Sequence, residues 1–402
     1  MTTGVLEPRS VDELAQIVRD TAAENLAIAP VGSGTMLGLG NPAEREDITI
    51  CTRGLRRVVD YEAEDQVIVV EAGMTLGELH AILAEKRQRL SIDPPGGDAM
   101  TIGGMLATNA YGPRALQYGT LKDSIVGIEI VRADGAIARA GGKVVKNVAG
   151  FDVSKLMVGS LGTLAIITKA AFRLHPLPET TRTLAFRATP AQIFPFVLAL
   201  REAQLEPSAT AARLDGGAAT IDVVFEGFGP GVDAQSAKCE EIAAQMTFES
   251  GDANIVMVSG ASEASGVEPQ RQCGLKATFP PSELSNVAER VNRATIFPTL
   301  GVMHVDIRPD DFGGPSTTAT LRAAYARDDN GEEHNALSHI QQLRDFFQSL
   351  GGTLVIERMP CEWHGKIDAW GTPPPSFSLM QALKDRFDPQ RRLNPGRFVG
   401  GL

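Results

Sequence analysis

The chain has 402 residues, 43% of them apolar, and a formal net charge of −11 at pH 7. This length and apolar content predict two or three domains with substantial cores. The negative charge argues against a general nucleic-acid binder, which needs a positive surface to displace counterions from phosphates. Because no run of about 18 apolar residues occurs and residues 1–8 lack the features of a signal peptide, we expect a cytoplasmic protein.

The first part of the chain has the patterning of an α+β domain. Apolar residues recur at helical spacing over residues 11–23 and alternate over residues 124–131, which predicts a helix and a strand. Thr75, with Glu78 three residues later, forms the pattern of a capping box ahead of an amphipathic helix. Further strands are predicted at residues 27–31, 58–59, 67–70 and 137–140, a short helix at 154–158, and a tight turn into a buried strand at 159–168.

A proline-rich break at residues 175–178 predicts a domain boundary near residue 178. We therefore expect a first domain over residues 1–178, a second α+β domain over 179–375, and a closing segment over 376–402. The second domain is predicted to contain strands at residues 183–187, 211–214 and 219–225, and helices at 191–203 and 232–246. Residues 313–331 have few large apolar side chains, so this segment is predicted either to move over a site or to be disordered.

Two glycine-rich segments carry most of the functional information. The first is Pro30-Val31-Gly32-Ser33-Gly34-Thr35, and the second covers residues 94–112. Glycine lets backbone N–H groups approach a phosphate closely and converge on it, because it has no Cβ and tolerates positive φ. One such loop is most simply explained as a turn. Two loops of different composition together indicate a flavin pyrophosphate site.

Three motifs resemble the FAD domain of the p-cresol methylhydroxylase and vanillyl-alcohol oxidase family. They are the first glycine-rich loop, a Thr-Ile-Gly-Gly segment that leads to Ala-Thr-Asn-Ala at residues 101–110, and the Gly-Ser-x-Gly-Thr-Leu-x-Ile-Ile-Thr run at residues 159–168. Residues 118–123 and 150–152 are similar to further landmarks of the family. The resemblance covers roughly residues 5–176. It implies an α+β protein in which an FAD-binding domain of this type is followed by an α+β cap domain, with residues 376–402 returning to the FAD domain.

The resemblance also implies which residues contact the cofactor, although some of these glycines have the alternative role of shaping turns. The first loop would place backbone donors near the pyrophosphate, the second would form the opposite wall, and two later residues would border the adenosine end. These implied FAD contacts are Val31, Gly32, Ser33, Gly34, Thr35, Pro95, Gly96, Thr101, Gly103, Gly104, Ala107, Thr108, Gly112, Gly162 and Ile166.

Several members of this fold attach FAD covalently through histidine or cysteine. Neither residue type occurs in the first loop, or between Leu90 and Leu174. A histidine in the second domain stays open as a tether. We therefore expect FAD to bind non-covalently.

The closing segment narrows the resemblance to one branch. Residues 383–389, followed by Leu393-Asn394-Pro395-Gly396-Arg397, resemble the C-terminal signature of glycolate and D-lactate dehydrogenases. The overall pattern is most similar to the FAD-binding second subunits of bacterial glycolate oxidases. That resemblance implies a larger FAD-containing subunit and an iron-sulfur subunit as partners, with electrons passing from glycolate to a quinone-type acceptor. The four cysteines are widely separated and form no iron-sulfur motif, so an iron-sulfur cluster would have to lie in a partner.

The chemistry implied by the branch is the removal of hydrogen from C2 of a 2-hydroxy acid, with a base for the hydroxyl proton and an arginine for the carboxylate. Dehydrogenases of the branch carry the motif Gly-His-x-Gly-Asp-Gly-Asn-x-His. The most similar segment of this chain, residues 301–308, contains one histidine, His304, and lacks the Gly-Asp-Gly-Asn part. His304 is a candidate base or a satisfied strand histidine. Arg114 is a candidate for binding an anion or a solvated loop residue. His334 and His339 lack the i, i+4 spacing of paired ligands, so we expect no metal site.

Two alternatives stay open beside a subunit that passes electrons to a partner. The chain is a self-sufficient FAD-dependent 2-hydroxy-acid dehydrogenase, or a structural assembly subunit with a vestigial nucleotide site. Two late clusters that mix charge with other side chains, Glu357-Arg358 and Glu362-Trp363-His364, line either a pocket or a subunit interface.

Overall fold

A computed structural model describes residues 4–142, 152–251, 273–291, 293–307, 334–359 and 363–402 of the chain. The segment 313–331, Gly150, Phe151, Arg308 and Glu362 lie outside the described residues, as do the side chains of His334 and His339. No described helix is both long and apolar enough to cross a membrane.

The described part of the first domain contains three sheets. A parallel sheet has the strand order β1–β3–β2, a five-stranded antiparallel sheet has the order β4–β5–β9–β7–β8, and β6 pairs with β10 in a two-stranded antiparallel sheet. The strands are β1 (Gly4–Leu6), β2 (Ile28–Val31), β3 (Ile48–Cys51), β4 (Val58–Glu62), β5 (Val67–Glu71), β6 (Gln88–Arg89), β7 (Ile125–Arg132), β8 (Ile137–Gly141), β9 (Ala165–Arg173) and β10 (His175–Pro176). The helices are α1 (Val11–Ala23), α2 (Leu76–Ala84), α3 (Ile102–Thr108), α4 (Ala115–Tyr118), α5 (Leu121–Ser124) and α6 (Val153–Met157).

Helix α1 shows how the sequence produces the first sheet's packing. Ser10 caps the helix, because its side-chain oxygen accepts a hydrogen bond from the backbone N–H of Glu13. Leu14 and Val18 then lie one turn apart on the same face and are buried against Ile28. The predicted helix over residues 11–23 and the predicted capping box of Thr75 and Glu78 at α2 are both confirmed.

The second domain is built on one eight-stranded antiparallel sheet of order β14–β11–β13–β12–β16–β17–β15–β18. Its strands are β11 (Thr180–Ala188), β12 (Ala209–Asp215), β13 (Ala218–Gly227), β14 (Glu249–Ser250), β15 (Cys273–Thr278), β16 (Arg293–Phe297), β17 (Val302–Ile307) and β18 (Thr353–Arg358). Its helices are α7 (Ile193–Glu202), α8 (Gly229–Gln245), α9 (Leu284–Arg290) and α10 (His334–Ser349). Ala212, Ile221 and Ile296 belong to the core that the sheet forms with these helices.

Alternation along the strands gives the sheet a second, more polar face. Arg213 is paired with Thr295, Thr295 with His304, and His304 with Lys276, so these four side chains form one row across β12, β16, β17 and β15. Directly paired residues in an antiparallel sheet lie on the same face, and this face is opposite the helix-covered core. The row is central to the site described below.

The end of the chain packs against the first domain. Helix α11 (Phe377–Phe387) precedes Leu393, which forms a parallel bridge with Ile28 on β2. The buried Lys384 ammonium donates hydrogen bonds to the carbonyl oxygens of Thr163 and Leu393 and to the Asp388 carboxylate. These contacts hold the closing segment beside the turn that precedes β9.

The α+β architecture predicted for the chain is confirmed. The helix α3 was not predicted, because its sequence Ile102-Gly103-Gly104 has low intrinsic helix propensity. Thr101 starts this helix by accepting a hydrogen bond from the Gly104 N–H, and Asn109 ends it in a left-handed conformation.

Candidate active site

A glycine-lined cleft of about 740 Å³ lies where the loop after β2 meets α3 and the turn before β9. Its walls combine loop backbone, small side chains and hydroxyl groups. The lining residues are Pro30, Val31, Gly32, Ser33, Gly34, Thr35, Met36, Leu37, Thr52, Met100, Thr101, Gly103, Gly104, Ala107, Thr108, Leu161, Gly162, Ala165, Ile166, Ile167, Asn394 and Arg397.

Side chains that pack closely against the chain explain two of the glycines in this cleft. A Cβ on Gly32 would overlap the hydroxyl oxygen of Thr101, the residue that caps α3. Gly162 has φ of +67°, and a Cβ there would lie 3.1 Å from the Pro30 ring and 3.3 Å from the Asn394 amide nitrogen. Larger residues at either position would separate the walls of the cleft or distort them.

Twelve of the fifteen residues predicted to contact the cofactor line this one cleft, and Pro95, Gly96 and Gly112 do not. Pro95 is buried. Gly96 packs against the Met100 side chain, and a Cβ there would lie 3.3 Å from Thr35. A Cβ on Gly112 would overlap the carbonyl oxygen of Asp93, so this glycine allows two backbone segments to meet.

Asn394 and Arg397 also line the cleft and were left out of the predicted contacts. The Asn394 amide nitrogen donates to the Leu161 carbonyl at 2.7 Å, while its oxygen is buried without a partner among the described residues. Arg397 donates to the carbonyls of Leu37 and Leu39, and its Nε is likewise buried without a partner in that part of the chain. The signal for both was the Leu393–Arg397 motif, whose Asn-Pro-Gly is equally typical of a helix end.

A second, larger space, the interdomain cavity, lies between the first domain and the polar face of the second-domain sheet. The space between its walls is about 1440 Å³, including the part that is open to solvent. Residues from both domains and the closing segment line it, including Tyr111, Lys122, Lys155, Leu156, Leu164, Lys276, Thr278, Thr353, Val355, Glu357, Trp370, Met380, Leu383, Phe398 and Leu402. Thr108 and Leu161 line both this cavity and the glycine-lined cleft, so the two spaces adjoin.

Lys276 and Glu357 place opposite charges on the second-domain wall of the cavity. The Lys276 ammonium lies over the Tyr111 ring, 4.8 Å from its centre. The Glu357 carboxylate is 3.0 Å from Nδ1 of His304. Burial works to raise the pKa of Glu357, but His304, Lys276 and Arg358 outweigh it and hold the pKa below its ordinary value.

Of the two candidate catalytic residues, neither lines the interdomain cavity. His304 is 7% exposed on β17, and its Nε2 is buried without a partner among the described residues. Arg114 donates from its guanidinium to Glu226 of β13 at 3.0 Å, across the two domains. Arg89 and Tyr118 also donate to Glu226, which therefore joins the second domain to three side chains of the first.

Asp93 is a buried carboxyl beneath the second glycine-rich segment, where it accepts hydrogen bonds from the backbone N–H of Arg114. Burial raises its pKa from 3.8 to about 7, against the opposing effect of Arg114. The folded protein therefore keeps a proton on Asp93 that the unfolded chain releases above about pH 4. Stability contributed by this group is present below pH 4 and is lost as pH rises towards 7.

We expect Asp93→Asn to flatten this part of the stability profile, because the neutral amide does not titrate. The wild type should lose roughly 4 kcal/mol relative to the variant between pH 4 and 7. Urea unfolding at intervals of pH measures the difference. Asp65→Asn, an exposed turn substitution, should leave the profile unchanged. Parallel profiles for the wild type and Asp93→Asn would contradict the assignment.

Comparison with known proteins identifies the first domain. The sequence profile of a family described as FAD binding domain matches residues 2–141. The chain is an FAD-dependent oxidoreductase.

Three relatives match almost the whole of this oxidoreductase. It is 28% identical to the glycolate oxidase subunit GlcD of Bacillus subtilis, over 99% of this chain and 89% of that protein. It is 29% identical to the D-lactate dehydrogenase of Archaeoglobus fulgidus, over 99% and 91% of the two chains. Identity to the D-2-hydroxyglutarate dehydrogenase of Xanthomonas citri is 25%, over 97% and 88%.

The fold of the oxidoreductase is also that of a solved structure. An alkyldihydroxyacetonephosphate synthase superposes on 98% of this chain and 77% of its own length, with a TM-score of 0.71. Sequence identity over the superposed residues is 16%, so this likeness concerns the fold alone.

The residues that line the glycine-lined cleft fit FAD, the cofactor of this oxidoreductase. The Asn394 side-chain oxygen and Arg397 Nε are buried and have no hydrogen-bond partner among the described residues. The close approach of Gly32 to Thr101 holds the first loop against α3. The described lining residues include neither histidine nor cysteine.

Proposed function

We propose that this FAD-dependent oxidoreductase oxidises a small 2-hydroxy acid in the interdomain cavity, with glycolate as the first candidate. The observation that carries the proposal is the shared wall of Thr108 and Leu161 between the glycine-lined cleft and the cavity. A cofactor held in the cleft reaches the cavity at this wall, so a substrate in the cavity lies beside it.

Different residues of the cleft would bind different parts of FAD. Gly32, Ser33 and Thr35 of the first loop face the α3 residues Gly103 and Gly104, and the backbone and hydroxyl groups of both sides hold the pyrophosphate. Arg397 adds a positive charge at the same cleft. When bound, FAD accepts two electrons and the C2 hydrogen of the substrate. Gly162 and Ile166 border the adenosine end.

Lys276 is the residue we assign to the substrate carboxylate. It lines the cavity, and its aromatic neighbour Tyr111 holds the ammonium in place without neutralising it. Thr278 lies two residues beyond Lys276 on the same face of β15, and it lines the cavity together with Thr353. The hydroxyl oxygens of Thr278 and Thr353 lie 2.8 Å apart on paired strands. This arrangement orients an anion against the sheet, with its C2 towards the shared wall.

The relatives named above support the substrate class. Their names specify glycolate, D-lactate and D-2-hydroxyglutarate, all of which are 2-hydroxy acids. We propose that this chain works in a glycolate oxidase complex with a larger FAD-containing subunit and an iron-sulfur subunit. Cys51, Cys239 and Cys273 lie on β3, α8 and β15, and the described residues contain no cluster of His, Cys, Asp and Glu that could hold a metal, so we assign the iron-sulfur cluster to the partner.

Anaerobic visible absorbance of the purified chain tests the proposed function. Glycolate, D-lactate and D-2-hydroxyglutarate are added to the chain alone and to the chain with its candidate partner subunits. Bleaching of the yellow chain alone indicates a self-sufficient dehydrogenase, and bleaching only with the partners supports the complex. A yellow protein that none of these acids bleaches in either form would refute 2-hydroxy-acid oxidation.

Lys276→Met is expected to lower kcat/KM for the active acid about 10- to 100-fold, mostly through KM. The loss of a charge-assisted hydrogen bond to the carboxylate is worth about 1.5–3 kcal/mol. Steady-state kinetics with an artificial electron acceptor measures it. Lys238→Met removes an exposed lysine of α8 that pairs with Glu241, and it should leave kcat/KM unchanged. An unchanged KM in Lys276→Met would contradict the assignment.

A further inference from the structure

The pair Glu357 and His304 connects two separate spaces in the molecule. Glu357 lines the interdomain cavity. His304 lines a different space, the outer cleft of about 850 Å³, whose other lining residues include Arg213, Asp215, Thr220, Arg293 and Thr295. Nδ1 of His304 and Oε2 of Glu357 are 3.0 Å apart. One hydrogen bond therefore spans the partition between cavity and cleft.

We propose that Glu357 is the catalytic base of the oxidation and that His304 passes the proton on to water in the outer cleft. This inference rests on the proposed function, because it concerns the hydroxyl proton of a 2-hydroxy acid. It assigns Glu357, which the sequence offered only as part of a pocket or an interface. It gives His304 the role of a relay, since His304 does not line the substrate cavity.

The step balances in atoms and electrons. The C2–H bond breaks and its hydrogen leaves with the electron pair to the bound FAD, while the O–H bond breaks and its proton goes to the Glu357 carboxylate. The C2–O single bond becomes a carbonyl, and the product is a 2-oxo acid. Glu357 then gives its proton to Nδ1 of a neutral His304 that carries its own hydrogen on Nε2, and the ring releases the Nε2 proton to water. This restores the Glu357 carboxylate and leaves His304 as the Nδ1–H tautomer, which returns to the starting tautomer by proton exchange with no net change in the number of protons.

Three features of the pair suit this role. The carboxylate is ionised at neutral pH, so it can accept a proton, and its position on the cavity wall brings it to the substrate. The second ring nitrogen of His304 has no partner among the described residues, so it is available to water entering from the outer cleft. The Phe297 ring packs 5.6 Å from the His304 ring and limits its movement.

Other charged groups surround the pair and contribute to its pH dependence. Lys276 and Arg358 act on Glu357 from the same domain, and Lys122 and Lys155 line the cavity from the other side. Around His304, the outer cleft presents Arg213, Asp215 and Arg293, and Arg213 is paired with the buried Asp222 at 3.2 Å.

Rapid-mixing measurements of flavin bleaching by the active acid, as a function of pH, test the relay. Glu357→Gln should slow bleaching at least 100-fold while the acid still binds, because a general base contributes about 10²- to 10⁴-fold. His304→Gln should slow it less and move the acid limb of the profile to higher pH, since His304 no longer lowers the pKa of Glu357. Thr220→Val, in the outer cleft but away from the pair, is the matched control and should behave as wild type.

Two further measurements keep the test independent of turnover and of folding defects. In substrate-free, FAD-loaded protein with carboxyl-labelled glutamate, the NMR resonance lost in Glu357→Gln should titrate at higher pH in His304→Gln. Thr295→Leu changes the residue paired with His304 and fills the outer cleft without replacing either relay residue. It should delay proton release, measured with an indicator dye, relative to bleaching.

The outcomes separate the relay from the proposed function. If no acid bleaches the wild type, the proposed function fails and the relay fails with it. If the wild type is bleached but His304→Gln keeps the wild-type rate and pH profile, or Thr295→Leu releases protons on time, the relay alone is overturned. A full rate in Glu357→Gln would remove the base assignment.

Discussion

Gly32→Val is expected to yield a protein that retains much less FAD than the wild type. The added Cβ overlaps the Thr101 hydroxyl, which caps α3, so either the first loop or the helix must move. Both form walls of the glycine-lined cleft. Because overpacking of this kind costs about 1–3 kcal/mol, and the cofactor needs both walls in register, we expect its affinity to fall about 100-fold. The ratio of flavin to protein absorbance after purification, and titration with added FAD, measure the effect.

The matched control for this substitution is Gly231→Ala in helix α8. A Cβ on Gly231 meets nothing within 4 Å, and the position is distant from the cleft. This variant should keep the FAD content of the wild type. A Gly32→Val protein as yellow as the control would show that the loop and α3 do not close around the cofactor.

Glu226→Gln is expected to lower the free energy of unfolding by about 2–4 kcal/mol at pH 7. Glu226 is buried and binds Arg89 through both of its oxygens, at 3.0 and 2.7 Å, as well as Arg114. The glutamine keeps the shape but leaves two guanidinium groups without a compensating charge in a largely buried interface. Because this contact joins the domains, the substitution should also loosen the interdomain cavity. Urea unfolding measures the loss.

The pH dependence of the Glu226 contribution follows from its pKa. Burial works to raise the pKa, but Arg89 and Arg114 outweigh it and hold the pKa at about 2, against an ordinary value of 4.5. The contribution is therefore complete above about pH 4.5 and is lost as pH falls towards 2. The shift corresponds to roughly 3 kcal/mol. The difference between wild type and Glu226→Gln should shrink over the same interval.

Two comparisons make the Glu226 prediction specific. Glu240→Gln removes an exposed carboxylate that pairs with Arg182 at 3.5 Å, and it should change stability by less than about 0.5 kcal/mol. A double-mutant cycle with Arg114→Met should show strong coupling to Glu226, because the two side chains share one hydrogen bond. Additive effects in that cycle would contradict the interdomain contact.

Local patterns in the sequence predicted the elements that local physics controls. The helix α1 and the capped start of α2 depend on apolar spacing and on side chains three residues apart, both of which are visible in the sequence. Helix α3 was not predicted, because its glycines oppose helix formation. Its start depends on the Thr101 cap and on the packing of Gly103 against Ala72. The order of the eight strands in the second sheet also had no local signal.

The candidate site also contains some features that the sequence predicted and others that only the fold shows. The two glycine-rich segments were recognisable as a cofactor site, whereas their contact with FAD residue by residue stays a prediction. Arg114 attracted notice because it follows the second segment, yet its charge is engaged by Glu226, more than 100 residues away. Glu357 and His304 are 53 positions apart, and only strand pairing brings them together.

The sequence by itself determined that this chain is an α+β protein with two glycine-rich loops suited to a nucleotide cofactor, because helix caps, apolar periodicity and glycine content act over a few residues. The tertiary structure decided which side chains share a cavity. Packing of the second-domain sheet against the first domain places Lys276 beside Tyr111, and the pairing of β17, β15 and β18 places Glu357 beside His304. The returning chain end brings Asn394 and Arg397 to the glycine-lined cleft. Such contacts depend on the packing of distant segments, whose burial and charge pairing are properties of the whole fold.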